Sequence, residues 1–70
     1  MAKLVRIKLE QYLAEQGITR YEVAKRTGIK YQTIDNYYKN RVVRFDGYIL
    51  ARICESLHCD ISDLLECVEE

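Results

Sequence analysis

The sequence predicts an all-α domain of five short helices around one core, and three observations carry that prediction. Proline is absent and the only strong breaks are Gly17, Gly28 and Gly47, so the chain reads as helices separated by tight turns. Apolar residues recur at i, i+3, i+4 and i+7 in successive blocks, the period of a helix with one buried face. Thr19, Asp46 and Asp60 stand just ahead of such blocks, where a side-chain oxygen can accept a free helix amide.

The first helix is expected on the stripe Val5, Leu9, Tyr12 and Leu13, with Gly17 ending it. Thr19 and Glu22 then form the S/T-x-x-E pattern. In it the threonine hydroxyl accepts a free amide and the glutamate reaches back to the amide of the cap residue. The helix they open buries Val23 and Ala24 and is short, because Gly28 follows after barely two turns and suits a left-handed chain reversal. The third helix is expected from about Tyr31 to Tyr38, with Ile34 and Tyr37 inward and Gln32, Thr33, Asp35 and Asn36 on a polar face. A basic turn, Lys39-Asn40-Arg41, leads into a loop holding Arg44, anchored by Val42, Val43 and Phe45. Asp46 caps a fourth helix with the stripe Leu50, Ile53, Cys54 and Leu57. A last helix follows Asp60 and Asp63 and includes Leu64 and Leu65.

Composition narrows the function classes. With 49% apolar and 31% charged residues the chain has the balance of a compact domain, and its 70 residues accommodate one, spanning 1–70. A domain of this size buries only about 60% of its unfolded surface, which leaves no room for a deep catalytic cleft. No stretch approaches the ~18 apolar residues of a membrane helix, and Met1-Ala2-Lys3 leads into charged sequence. A cytoplasmic location is therefore expected, with Cys54, Cys59 and Cys67 reduced. These cysteines and His58 lack the closely paired ligands of a structural zinc site, so no metal is expected. No serine has a recognisable base partner and only one histidine exists, so neither catalysis nor a cofactor is expected.

The net charge is zero, yet its distribution is polar. From Met1 to Arg44 there are ten basic and four acidic residues, a net of +6; from Phe45 to Glu70 there are one basic and seven acidic, a net of −6. A basic half could face phosphates while the acidic half points away and weakens non-specific adhesion.

The stretch from Thr19 to Asn40 is the most informative. A helix-turn-helix needs a small residue where its two helices cross and a flexible turn between them. Ala24, Gly28, Ile29, Ile34 and Tyr37 supply both at suitable spacing. Ile18 to Ile34 resembles the motif of the Xre family, the Cro and phage-repressor type of DNA-binding domain found in bacteria and phages, and Ile53 to Leu65 resembles its closing helices. The resemblance extends from about Arg6 to Leu65 and implies a five-helix, lambda-repressor-like fold in which the helix after Gly28 reads DNA. Three features depart from the family pattern: Thr27 where an apolar residue is usual, the bulky Tyr37-Tyr38, and Asn40 where glycine is common. Asparagine tolerates the left-handed conformation that such a turn needs.

By this resemblance Tyr31, Gln32 and Asn36 are the base readers, with Lys30 and Thr33 beside them. Their chemistry agrees, since Gln and Asn pair bidentately with adenine and Thr can hydrogen-bond or contact the thymine methyl. Gln32 and Asn36, four apart, share one helix face. Phosphate contacts are expected from Arg20 and Tyr21, at the amide-rich positive end of the second helix, and from Lys39, Asn40, Arg41 and Arg44 flanking the reader. The resemblance thus implies a sequence-specific regulator, a repressor, bound to a double-stranded operator as a homodimer. Pairing would use the acidic C-terminal half or the apolar Leu4-Val5 arm, no separate dimerisation domain being expected. The alternative is a protein-interaction module of the same fold, an antirepressor or antitoxin-type partner, favoured by zero net charge and by Tyr31, Tyr37, Tyr38 and Tyr48.

Overall fold

The computed structural model describes residues 2–69, which form five helices closed by a two-stranded sheet. In chain order these are β1 (Lys3–Ile7), α1 (Leu9–Gln16), α2 (Arg20–Thr27), α3 (Tyr31–Tyr38), α4 (Gly47–Leu57), α5 (Ile61–Leu64) and β2 (Leu65–Glu69). The five expected helices are present, but the domain is not purely all-α.

The sheet is the correction. Val5, expected on the first helix, lies on β1 and is half exposed, and Leu65, expected on the last helix, opens β2. The strands run antiparallel with Lys3 opposite Glu69, Val5 opposite Cys67 and Ile7 opposite Leu65. Lys3 to Ile7 carries β-branched Val5 and Ile7 two apart, the spacing of a pleated strand, while Val5 and Leu9, four apart, fit a helical stripe equally well. The decision falls to the partner: β2 completes the backbone hydrogen bonds of β1, and the Lys8 amide extends the ladder to the Leu64 carbonyl at 2.6 Å. Arg6 and Glu66, directly opposite, form an ion pair on one face of this ribbon.

One apolar cluster holds the helices together. Leu9 and Leu13 of α1, Val23 of α2, Ile34 and Tyr37 of α3, Leu50, Ile53 and Leu57 of α4, and Leu64 of α5 are buried in it, with Ile7 from β1. Cys54, Ala24 and Tyr12 pack against it half-buried. Val42 and Phe45 anchor the α3–α4 loop as expected, whereas Val43 is 89% exposed and anchors nothing.

The helix ends follow the capping chemistry in part. Thr19 Oγ1 accepts the Glu22 amide at 3.1 Å, but the Glu22 carboxylate takes Arg26 at 3.3 Å, one turn along, instead of returning to the Thr19 amide. Asp46 accepts the amides of Tyr48 and Ile49 and so opens α4, and the Asp60 amide donates to Asp63 at 3.0 Å. Gly17 closes α1 in the left-handed region.

Candidate nucleic-acid interface

The turn that joins α2 to α3 is built from Thr27, Gly28 and Ile29. Gly28 has φ of +74°, a left-handed value that L residues adopt only at a cost. Thr27, the polar departure from an apolar pattern, is buried with its chemistry satisfied. Its hydroxyl donates to the Val23 carbonyl at 2.8 Å and accepts from the Ile29 amide at 3.2 Å, while its carbonyl accepts the Arg52 guanidinium of α4. A threonine here therefore binds both sides of the turn, which an aliphatic side chain could not.

Across this turn α3 spans Tyr31–Tyr38, the range the sequence predicts. Ile34 and Tyr37 face the core, and the Tyr37 hydroxyl accepts the Asp46 amide at 3.1 Å, tying α3 to the start of α4. Lys30, Tyr31 and Gln32 are exposed, and Thr33 and Asn36 half-buried. Gln32 Nε2 donates to Asn36 Oδ1 at 3.3 Å. That bond uses one Gln32 N–H, and the exposed side chain keeps an acceptor oxygen and a second N–H.

Asp35 departs from expectation. Predicted on the polar outer face, it is buried at 7% exposure and pairs with Arg20 at 2.5 Å and Lys39 at 3.2 Å. It shares a stripe with Tyr31 and Tyr38, at i−4 and i+3, and this stripe faces the start of α2. The Arg20 guanidinium stands over the Tyr38 ring at 4.3 Å and within 5.9 Å of the Tyr31 ring. Burial alone would raise the Asp35 pKa, but hydrogen bonds and charges from Lys39 and Arg20 outweigh it and hold the carboxyl below its ordinary value. The Arg20 pKa moves the opposite way. Desolvation lowers it, and the Asp35 hydrogen bond with the neighbouring charges raises it further still.

The other expected phosphate contacts are distributed around α3. Tyr21, the second residue of α2, is 72% exposed beside the first turn of that helix, where amides lack intrahelical partners. Arg41 and Arg44 are exposed and form no ion pair among the described residues. Lys39 is held partly by Asp35. Asn40 has φ of +59°, the left-handed turn expected of it, and its Oδ1 accepts the Ile7 amide at 3.1 Å, fastening β1 to the end of α3. Asn40 thus has a structural duty that sequence reasoning missed, although its side-chain N–H groups remain as donors.

Cys54 and Cys59 lie close together on either side of the left-handed His58. The Cys59 amide donates to the Cys54 carbonyl at 3.0 Å, and burial, with Cys54 next, pushes the Cys59 thiol up to about 11. No three His, Cys, Asp or Glu residues converge as a metal site among the described residues. Nor, among them, is any helix long and apolar enough to cross a membrane.

Two short helices joined by a glycine turn, the second with a polar outer face and basic flanks, define a helix-turn-helix interface for duplex nucleic acid. The chain belongs to the Cro/C1-type HTH DNA-binding domain family, whose model matches residues 8–70. It is also similar to a solved transcriptional regulator, VanUg in its crystal form II, at 28% identity and a TM-score of 0.73, over 94% of this chain and 89% of that one. No curated protein matches the chain.

Proposed function

We propose that this protein is a sequence-specific transcriptional regulator that lays α3 in the major groove of an operator, as a two-fold pair on half-sites about 34–36 Å apart. The observation that supports it is the hydrogen-bonded amide pair of exposed Gln32 and half-buried Asn36 on a helix joined to α2 by the Thr27-Gly28 turn. Gln32 offers the donor and acceptor that match adenine N7 and N6, and Asn36 holds or shares that contact. Tyr31, Thr33 and Lys30 border it and reach neighbouring base edges. Tyr21, Arg41 and Arg44, with Lys39 and Asn40, set register on the phosphates without reading sequence. Occupancy of an operator that overlaps a promoter would exclude polymerase, which is the repressor's role proposed for it. The 28% identity to a transcriptional regulator supports the regulatory reading.

The test is selection from a randomised duplex library, followed by titration of the enriched site at two salt concentrations. A palindromic motif with steep salt dependence is expected. Absence of enrichment would overturn the reading. It would favour a protein-interaction module, for which exposed Tyr21 and Tyr48 provide aromatic surface.

A further inference from the structure

We infer that Arg20 is a positioning residue for base recognition: held by Asp35 and stacked on Tyr38, it sets the rotation of the reading helix and the place of Tyr31, instead of serving as a phosphate contact. This inference rests on the proposed reading of DNA by α3.

The geometry carries it. Arg20 is the first residue of α2, directly after the Thr19 cap, so its backbone is fixed by the start of that helix. Its side chain crosses to α3 and meets three residues of one stripe, Tyr31, Asp35 and Tyr38, at the beginning, middle and end of the reader. The Asp35 carboxylate takes Arg20 on Oδ1 and Lys39 on Oδ2, so both its oxygens are engaged. The Arg20 side chain is only 32% exposed, and Asp35 is its ion-pair partner among the described residues.

Rotation is the freedom this contact removes. Ile34 and Tyr37 fix the axis of α3 in the core, but apolar contacts are non-directional and tolerate a small roll about that axis. An outward side chain ends roughly 6 Å from the helix axis, so a roll of about 10° moves it about 1 Å. Hydrogen-bond distances to a base edge tolerate only a few tenths of an ångström. A planar guanidinium that is both ion-paired and stacked resists such a roll, which a point charge such as lysine does not. Of the proposed base readers, Tyr31 lies within reach of the same guanidinium, its ring centroid 5.9 Å away.

The experiment uses the full chain and the site enriched by the wild type. Arg20→Gln, Arg20→Lys and Tyr38→Leu are compared with wild type for discrimination at each base pair and for the slope of log K against log salt, at a temperature where circular dichroism shows each folded. For all three, discrimination at the pairs facing Tyr31 and Gln32 is expected to fall roughly 2- to 10-fold, part of the roughly 5- to 150-fold that a good base contact confers. The salt slope is expected to stay at the wild-type value in all three. A phosphate contact would give the opposite pattern in Arg20→Gln, a slope reduced by about one with preference intact. That pattern, or wild-type behaviour in both respects, overturns the inference while leaving the proposed function standing. A wild type that enriches no site removes both.

Discussion

The α2–α3 turn and the β1–β2 ribbon both join two elements, and they do so by opposite means. At the turn, one buried threonine, one left-handed glycine and an ion pair stacked on tyrosine act within twenty residues, and Val23 and Ile34 beneath them are inaccessible to solvent. The ribbon joins residues about sixty apart, leaves Leu4 and Val5 half exposed, and carries an ion pair open to water. Cooperative stability should therefore be concentrated where α3 is held, with the ribbon at the low end of local stability.

Breaking the first region should cost the most. Ile34→Ala removes a fully buried side chain and should lower unfolding free energy by about 2–5 kcal/mol, measured by denaturant titration. Thr27→Val keeps the shape but leaves the Ile29 amide without its acceptor, for a loss of about 1–3 kcal/mol. Gly28→Ala meets no obstruction, since an added Cβ would lie 3.8 Å from Arg52, so its expected cost is the left-handed backbone alone, about 1–2 kcal/mol. In the ribbon, the Arg6–Glu66 pair should contribute less than about 1 kcal/mol in a double-mutant cycle, because both side chains are partly exposed. Acid sharpens the contrast. The folded Asp35 pKa is depressed, so its stabilisation is complete above the unfolded value near 3.9 and is lost as pH falls through the lower folded value. Asp35→Asn should flatten that acid limb, as thermal melts at stepped pH would record.

The same contrast explains what the sequence made legible. Thr19, Gly28 and Asp46 act on neighbours within a few residues, and the helices they bound appear where expected. Asn40 could be predicted in its left-handed conformation because the requirement is local to one residue. The ribbon was not legible, because Val5 satisfies a helical and a strand period equally, and only Cys67, its partner from the other end of the chain, decides between them. Leu65 escaped the last helix for the same reason. Asp35 was misplaced because a polar residue on an amphipathic helix defaults to solvent. The available signal was its place midway along a stripe from Tyr31 to Tyr38, with a basic residue at the start of the preceding helix. Of α3, the exposure of Gln32 could be anticipated from its polar face, whereas the half-burial of Asn36 and the internal commitments of Arg20 and Asn40 required the packing of α2 and β1 against α3.

The central claim is that the outer face of α3 reads bases while its flanks hold phosphates. The most direct measurement is a side-by-side titration of Gln32→Ala and Arg44→Ala on the enriched operator and on single-base variants of it, at two salt concentrations. Gln32→Ala should cost about 1–3 kcal/mol on the operator and erase preference at one base pair with the salt slope unchanged, whereas Arg44→Ala should weaken every sequence alike and lower the slope by about one. If Gln32→Ala leaves both affinity and preference at their wild-type values, α3 is not the reading helix.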